Sequence, residues 1–290
     1  MQKRGIDYSV YIQSLSQSWG ILTKHLIIYL PDTLLLLSTA FSLWAFLTFN
    51  ELYAPLLHTI QTKQTQTLAT TLRSIIQTTP TLLKLALSAL LTLAFNLSLG
   101  ITFLTTRYLL IKGFLGKEQL SFSKAFKAST PYFISVFLTK LLLFILYLLP
   151  VVFFFLILAS TTIPTKTMLP YTLTGLLILW FLIRFFTFYT YPLLYLETNS
   201  IKALPQAVSY SKRHSKHILI VMVILAFVSF FLSILLSLLP QAWITLAFSA
   251  KLLSYTGLFS TLYFFLTRIV NLIHTVFETS FIMASYELKK

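Results

Sequence analysis

The 290-residue sequence contains no cysteine and only seven acidic residues. Without cysteine, the chain has no disulfide bond, no thiolate metal site and no cysteine nucleophile. The sequence also lacks an HExxH zinc motif, a phosphate-binding loop and a nucleophile elbow. These absences predict that the protein is not an enzyme and that it has neither a cofactor nor a metal site.

Charged residues are scarce as well, at 10% of the chain, whereas a soluble domain carries about 25%. Hydrophobic residues make up 57%, and they come in long uncharged runs such as 141–159 and 218–239. Runs of about 18 or more apolar residues indicate membrane-spanning helices. The composition therefore predicts an all-α, polytopic membrane protein in which residues 1–290 form a single integral membrane domain. The polar, amphipathic N-terminus indicates no removable signal peptide.

Six membrane-spanning helices are predicted, at residues 27–49, 82–106, 132–158, 169–195, 218–239 and 258–283. The longest break between them, residues 50–80, is rich in threonine and glutamine. A short surface helix is expected there, with its apolar residues at Leu68, Leu72, Ile75 and Ile76. The 15 residues 241–255 are too short for a seventh span and contain Lys251, so they are interpreted as an interfacial or re-entrant segment.

Basic residues predict the orientation of the spans. Fourteen of the 22 lysines and arginines fall on one side, four on the other and four within the spans. The positive-inside rule places the richer side in the cytoplasm, so both termini are predicted to be cytoplasmic and the protein to lie in the cell (inner) membrane. This rule and attraction to anionic lipid headgroups explain the net charge of +15. We therefore expect the lipid bilayer, and not nucleic acid, as a partner.

A six-residue pattern occurs three times, as SLSQSW at 14–19, SFSKAF at 121–126 and ALPQAV at 203–208. Each copy lies just before an odd-numbered span, with small and apolar residues at helical spacing. These faces are Leu15, Ser18, Trp19 and Leu22; Phe122, Ala125, Phe126 and Ser129; and Leu204, Ala207, Val208 and Ser211. Ser16, Ser123 and Pro205 suit a helix cap or a first helical turn. Each copy predicts a short amphipathic helix in the cytoplasmic membrane interface.

The even-numbered spans also end alike, because Tyr108, Tyr195 and Tyr286 each lie beside charge at the cytoplasmic border. Interfacial tyrosines anchor spans at the depth of the headgroups. The chain is therefore predicted to consist of three parallel hairpin repeats, each an amphipathic helix, a span out and a span back. These repeat units cover about residues 12–112, 119–198 and 201–288.

The stretches SLSQSWGILTKH (14–25), YPLLYLE (191–197) and ALPQAVSYSKRHSKH (203–217) carry a resemblance to a known group. Over roughly residues 12–288, the chain resembles the broad group of six-span prokaryotic membrane proteins that includes the membrane domain of glycerophosphodiester phosphodiesterases. The resemblance implies a six-span membrane domain without an established activity. The chain has no room for the soluble phosphodiesterase domain, so no hydrolase residue is carried over.

Ionisable residues inside a membrane are costly and often functional. Arg184 lies 11 residues before Tyr195, which places it ~16 Å below that border. In the sixth span, one stripe of the helix carries Arg268, Asn271, His274, Thr275 and Glu278. Glu278 is ~12 Å deep by the same helical rise, a depth compatible with that of Arg184. These residues form the candidate intramembrane polar site, interpreted either as a buried ion pair that fixes packing or as a polar cavity for a solute or proton.

Other polar residues have structural interpretations. Ser88, Thr92 and Asn96 form a stripe on the second span that indicates hydrogen-bonded packing, and Asp32 suits a helix N-terminus. Lys84 and Lys140 lie near span ends and are expected to snorkel. His214 and His217 lie among basic residues and are expected to be solvated and not to bind a metal.

Two functions remain open at this point. The first is a non-catalytic membrane module that interacts with lipid, a partner protein or its own homo-oligomer through the interfacial helices. The alternative is a small-solute or lipid transporter that uses the polar site between the fourth and sixth spans.

Overall fold

The computed structural model describes residues 8–52, 70, 79–118, 120–160, 165–249 and 256–289, which are almost entirely helical and contain no strand. The α-helices are α1 Ser9–Lys24, α2 Leu30–Phe49, α3 Thr79–Leu115, α4 Phe122–Ala128, α5 Phe133–Ser160, α6 Thr165–Thr187, α7 Thr190–Leu193, α8 Ala203–Arg213, α9 Ser215–Ser249 and α10 Thr256–Lys289. Two 3₁₀ turns, Leu26–Tyr29 and Thr130–Tyr132, and a π-helical turn, Leu194–Thr198, connect some of them. The surface helix predicted within 50–80 lies outside the described residues.

Within the described residues, five helical segments are long and apolar enough to cross a membrane. They are Leu26–Phe49, Pro80–Leu115, Phe122–Leu156, Pro170–Thr198 and Ser215–Gln241. Only 6% to 22% of the residues in their most apolar windows are buried within the chain, so most of their leucine and phenylalanine side chains face outward. Apolar surface of this extent is unfavourable in water and is covered by lipid in a membrane. The prediction of an all-helical membrane protein is therefore confirmed at this level.

The predicted sixth span lies in α10, which is continuous over 34 residues. Its charged side chains, including Arg268 and Glu278, make it more polar than the other long helices, and it is not among the five segments that meet the length and hydropathy requirements.

Consecutive long helices form three hairpins, in which α2 packs against α3, α5 against α6 and α9 against α10. The helix before each hairpin, which we call its entry helix, packs against the second helix of another hairpin. Thus α4 contacts α3, and α8 contacts α6 and α7. The entry helix α1 contacts α10, the last of the described helices.

The largest buried core lies at the end of the bundle where the entry helices meet the C-terminal parts of α3 and α10 and the short helix α7. Tyr189, Tyr195 and Phe281 are among its largest fully buried side chains. Away from this end, side chains such as Leu90 and Phe155 are more than half exposed. The chain therefore holds itself together mainly at one end of the bundle.

The fourth predicted span is broken where α6 ends at Thr187. After a turn, α7 begins at Thr190 and contains Pro192. A proline nitrogen cannot donate the hydrogen bond to the carbonyl four residues earlier, which here belongs to Phe188. The break therefore falls where the proline leaves a helical carbonyl without its usual donor, a feature that the apolar pattern alone did not predict.

The capping roles expected of two serines were wrong. In α4 the cap is Ser121, whose hydroxyl accepts a hydrogen bond from the Lys124 amide, while Ser123 lies inside the helix. Ser16 lies in the middle of α1, which already begins at Ser9. Pro205 lies in the first turn of α8, as predicted.

The segment interpreted as interfacial or re-entrant is helical over residues 241–249, where it continues α9 without a break through Pro240. The remainder of 241–255 lies outside the described residues.

Candidate functional site

The structure brings Arg184 of α6 into contact with Glu278 of α10. The Arg184 Nη2 donates to the Glu278 Oε1 across 2.8 Å, and the guanidinium also lies 5.6 Å from the centre of the Phe188 ring. The two side chains are 50% and 31% exposed at the surface of the chain. The pair therefore links two hairpins while remaining open on one side.

The other members of the predicted polar site have different contacts. His274 Nε2 lies 3.0 Å from the Ser229 hydroxyl on α9, so this imidazole links the two helices of its own hairpin. The guanidinium of Arg268 lies over the Phe264 ring, one turn earlier on α10, at 5.0 Å from the ring centre. Asn271 is exposed, and its carbonyl accepts a hydrogen bond from Thr275. Of the five predicted residues, Arg184 and Glu278 are the two that the structure joins.

A second ion pair, between Arg107 of α3 and Asp32 of α2, was not predicted. Arg107 Nη1 donates to Asp32 Oδ1 at 2.7 Å, and the two side chains are only 6% and 19% exposed. Asp32 does lie in the first turn of α2, as its interpretation as a helix N-terminal residue requires. Arg107 Nε and Asp32 Oδ2 are buried without a hydrogen-bond partner. This pair is thus more deeply buried than Arg184–Glu278 and is only partly satisfied.

His217 is the centre of a buried hydrogen-bond network and is not solvated, which corrects the sequence interpretation. Its exposure is 4%, its Nδ1 lies 3.0 Å from the Tyr11 hydroxyl and its Nε2 lies 3.1 Å from the Tyr189 hydroxyl. Tyr189 is also within 3.0 Å of the Ser285 hydroxyl. The network ties the entry helix α1 to three other parts of the bundle, and no group of three potential metal ligands occurs among the described residues.

Tyrosines surround this network. The Tyr286 hydroxyl donates to Glu197 Oε1 at 2.6 Å, and its ring lies 5.1 Å from that of Tyr210. Burial raises the pKa of Tyr210 to about 12, and the Glu197 carboxylate acts in the same direction. These phenols therefore remain neutral near pH 7 and act as hydrogen-bonding packing groups.

The polar stripe on α3 makes the interhelical hydrogen bonds that the sequence predicted. Asn96 Nδ2 donates to the Ser42 hydroxyl at 2.8 Å, and Asn50 Nδ2 donates to the Ser88 hydroxyl at 2.9 Å. Thr92 contributes its carbonyl, which accepts from Asn96. The polar side chains of this stripe therefore serve to pack α3 against α2.

Together, the long apolar helices and the sparse, paired polar groups define the class of an α-helical membrane protein. No family model, curated protein or solved structure matches the chain.

Proposed function

We propose that this chain is a multi-pass membrane protein with a non-catalytic role, and that its entry helices bind lipid, a partner protein or a second copy of the chain. The observation that carries this proposal is that α1, α4 and α8 turn the same position of the repeated pattern toward the bundle. The fifth residue of the repeated pattern is fully buried in each, as Ser18, Ala125 and Ala207. The larger residue that follows is turned outward in α1 and α4, where Trp19 is 64% and Phe126 is 38% exposed.

This orientation supports a surface that binds apolar groups from outside the bundle. Small side chains allow an entry helix to approach a long helix closely, as is common where helices pack in membranes. In α1 the hydroxyls of Ser14 and Ser18 donate to carbonyls of their own helix, so they do not interfere with this close packing. The outward aromatic side chains of α1 and α4 are then available to lipid or to another protein.

Two lateral grooves favour lipid. One groove, of about 550 Å³, lies between α8 and the α5–α6 hairpin, and a second, of about 380 Å³, lies between α1 and the α9–α10 hairpin. The second and sixth pattern residues contribute to both, as Leu204 and Val208 in the first and as Leu15 and Trp19 in the second. Both volumes are in the range of small-ligand sites, and apolar lateral grooves of a membrane protein suit acyl chains.

The quenching of Trp19 fluorescence by brominated phosphatidylcholine tests this proposal. Trp44, Trp180 and Trp243 are replaced by phenylalanine, and the protein is reconstituted in vesicles that contain the brominated lipid. Strong quenching of Trp19 is expected, and a matched variant that keeps only the half-exposed Trp44 calibrates quenching within a span. An unquenched Trp19 would contradict lipid binding by α1. Disulfide cross-linking between copies of a Trp19→Cys variant would instead assign this face to a second copy.

We also propose the finer architecture on which this role depends: six spans in three parallel hairpin repeats, with interfacial entry helices and cytoplasmic termini in the cell (inner) membrane. The cyclic packing supports it, because each entry helix contacts the second long helix of the hairpin before it, and α1 contacts that of the last hairpin. The resemblance to the membrane domain of glycerophosphodiester phosphodiesterases agrees with this proposed architecture. The resemblance itself stays a prediction.

A transporter is the second candidate, and the exposure of the Arg184–Glu278 pair favours it. A charged pair that is open on one side offers a site for a proton or small ion within the membrane. Proton uptake into pyranine-loaded proteoliposomes measures this activity directly. Uptake that requires Glu278 and disappears in Glu278→Gln would favour transport over the non-catalytic role, whereas fluxes equal to those of protein-free vesicles would exclude proton transport.

A further inference from the structure

One stripe of α8 joins an apolar groove to a positive charge. Leu204, Val208 and Lys212 lie at i, i+4 and i+8 of this helix, so their side chains leave it on the same side. Leu204 and Val208 line the groove of about 550 Å³ between α8 and the α5–α6 hairpin. Lys212 lies one turn further, ~6 Å along the helix, and is exposed. The wall that α8 gives to the groove therefore ends in a lysine.

The neighbouring stripe of α8 fixes the rotation of this helix. It consists of Ala203, Ala207 and Ser211, which are fully buried. The Ser211 hydroxyl donates to the carbonyl oxygens of Phe185 and Phe186, at 3.2 and 3.3 Å, in the last turn of α6. Phe186 also lines the groove. The end of α8 that carries the lysine is therefore held against the last turn of α6, beside the groove.

The groove and the lysine offer a ligand two different kinds of contact. Thr187 is the one polar residue among the described residues that line the groove, and its hydroxyl donates to the Ile183 carbonyl at 2.7 Å. The groove therefore suits an apolar chain. The Lys212 ammonium has no ion pair and no hydrogen bond within the described part of the chain, so its charge is free to attract an anion. In a phospholipid, the glycerol alone separates the acyl chains from the phosphate, so the two contacts can be made together.

The other two entry helices lack a cation at the corresponding position. Four residues after the end of the repeated pattern, the first copy has Thr23 and the second has Thr130, where the third has Lys212. In α1, Leu15 and Trp19 line the second groove, and the Thr23 hydroxyl donates to the Trp19 carbonyl at 2.9 Å. The two grooves are thus built from the same positions of the repeat, and the residue that follows distinguishes them by its charge.

We propose that the groove beside α8 binds an anionic glycerophospholipid, with an acyl chain along Leu204 and Val208 and the headgroup phosphate at the Lys212 ammonium. Basic residues at the membrane surface attract anionic headgroups, and an ammonium donates charge-assisted hydrogen bonds to phosphate oxygens. The site rests on the proposed lipid-binding function and deepens it, because it names the groove that selects a headgroup and the residue that makes the selection.

Native mass spectrometry of the full chain in detergent tests the site by titration with dioleoylphosphatidylglycerol and, in parallel, with dioleoylphosphatidylcholine. Lys212→Thr should weaken binding of the anionic lipid about fivefold, the usual contribution of one cation near a membrane surface, and leave phosphatidylcholine binding unchanged. Arg213→Thr is the matched control. It removes an equally exposed cation whose side chain leaves α8 about 100° further around the helix, so it should change neither affinity appreciably.

A gain of selectivity tests the same position in α1. Thr23→Lys is made in the protein whose only tryptophan is Trp19, in phosphatidylcholine vesicles that contain a small fraction of brominated lipid. The variant should raise the ratio of quenching by brominated phosphatidylglycerol to quenching by brominated phosphatidylcholine, a gain that misfolding does not produce. An unchanged ratio would contradict the role assigned to this position.

Two further outcomes separate the site from the function on which it rests. Equal losses of phosphatidylglycerol affinity in Lys212→Thr and Arg213→Thr would overturn the site, because the overall charge of the surface would then account for the preference. Lipid binding by the entry helices would still stand. Wild-type protein that binds neither lipid would contradict the proposed function itself.

Discussion

Arg184 and Glu278 come from different hairpins, so the energy of their contact can be separated from that of each residue alone. A double-mutant cycle with Arg184→Gln and Glu278→Gln should give a coupling free energy of about 0.5–2 kcal/mol, the range for polar contacts between membrane helices. Unfolding in mixed detergent micelles with increasing dodecyl sulfate measures it. Arg268→Gln with Glu278→Gln is the control and should be additive, because Arg268 stacks on Phe264. Additivity of the first pair would contradict a stabilising contact.

The hydrogen bond between Tyr11 and His217 allows a second test on single residues. Tyr11→Phe removes the hydroxyl 3.0 Å from His217 Nδ1 and leaves that buried nitrogen without this partner. The loss should lower the free energy of unfolding by about 1–3 kcal/mol, measured by thermal unfolding in detergent. Tyr8→Phe is the control, since Tyr8 is 65% exposed just before the same helix and should change stability little. If both variants unfold alike, the hydrogen bond to His217 contributes nothing measurable.

Contacts between single residues were predicted best where spacing along a helix gave the depth of each residue in the membrane. Matching depths on two helices brought Arg184 and Glu278 together correctly. The Arg107–Asp32 pair was missed although its members are 75 residues apart, fewer than the 94 between Arg184 and Glu278, because Asp32 was interpreted only from its place at a helix N-terminus. His217 was misassigned because the charges beside it in sequence point outward, while the imidazole turns toward Tyr11, 206 residues away.

At the level of helices, the buried small residue of each entry helix has a measurable role. Ala125→Leu would force a larger side chain between α4 and Leu109 and Leu110 of α3, with which Ala125 forms a buried cluster. Overpacking of this kind should destabilise the protein by about 1–3 kcal/mol in detergent unfolding. Ala128→Leu, one turn along the same helix and exposed, should have little effect. Equal stability of the two variants would show that close packing at the fifth pattern position is unimportant.

The repeated pattern predicted three helices but not which of their faces turns inward. Periodicity shows only that residues such as Ser18 and Trp19 lie on neighbouring parts of a helix surface. The partner helix then selects the small residue for the contact, so that Ser18 is buried and Trp19 is exposed. Helix ends were similarly uncertain, because Ser121 and Ser123 are both suitable caps by residue type and the structure uses Ser121.

For the whole molecule, the number of membrane crossings decides on which side the C-terminus lies. The chain has no cysteine, so each introduced cysteine is unique for labelling with a membrane-impermeant maleimide. With six spans, Lys127→Cys and Glu287→Cys should react only after the cells are permeabilised, whereas Glu51→Cys, in the break after the first span, should react in intact cells. All three positions are exposed. Reaction of Glu287→Cys in intact cells, with Lys127→Cys protected, would indicate that α10 does not cross the membrane.

The contact between α1 and α10 also sets the timing of folding. The helix α1 leaves the ribosome well before its partner α10 is made, and a chain of hydrogen bonds from Tyr11 through His217 and Tyr189 to Ser285 joins the two helices. At typical rates of translation, roughly 10–50 s separate the synthesis of the two helices. During that interval the buried face of α1 has no native partner. Final closure of the bundle is therefore a post-translational event, and a ribosome stalled before α10 holds a chain that cannot finish folding.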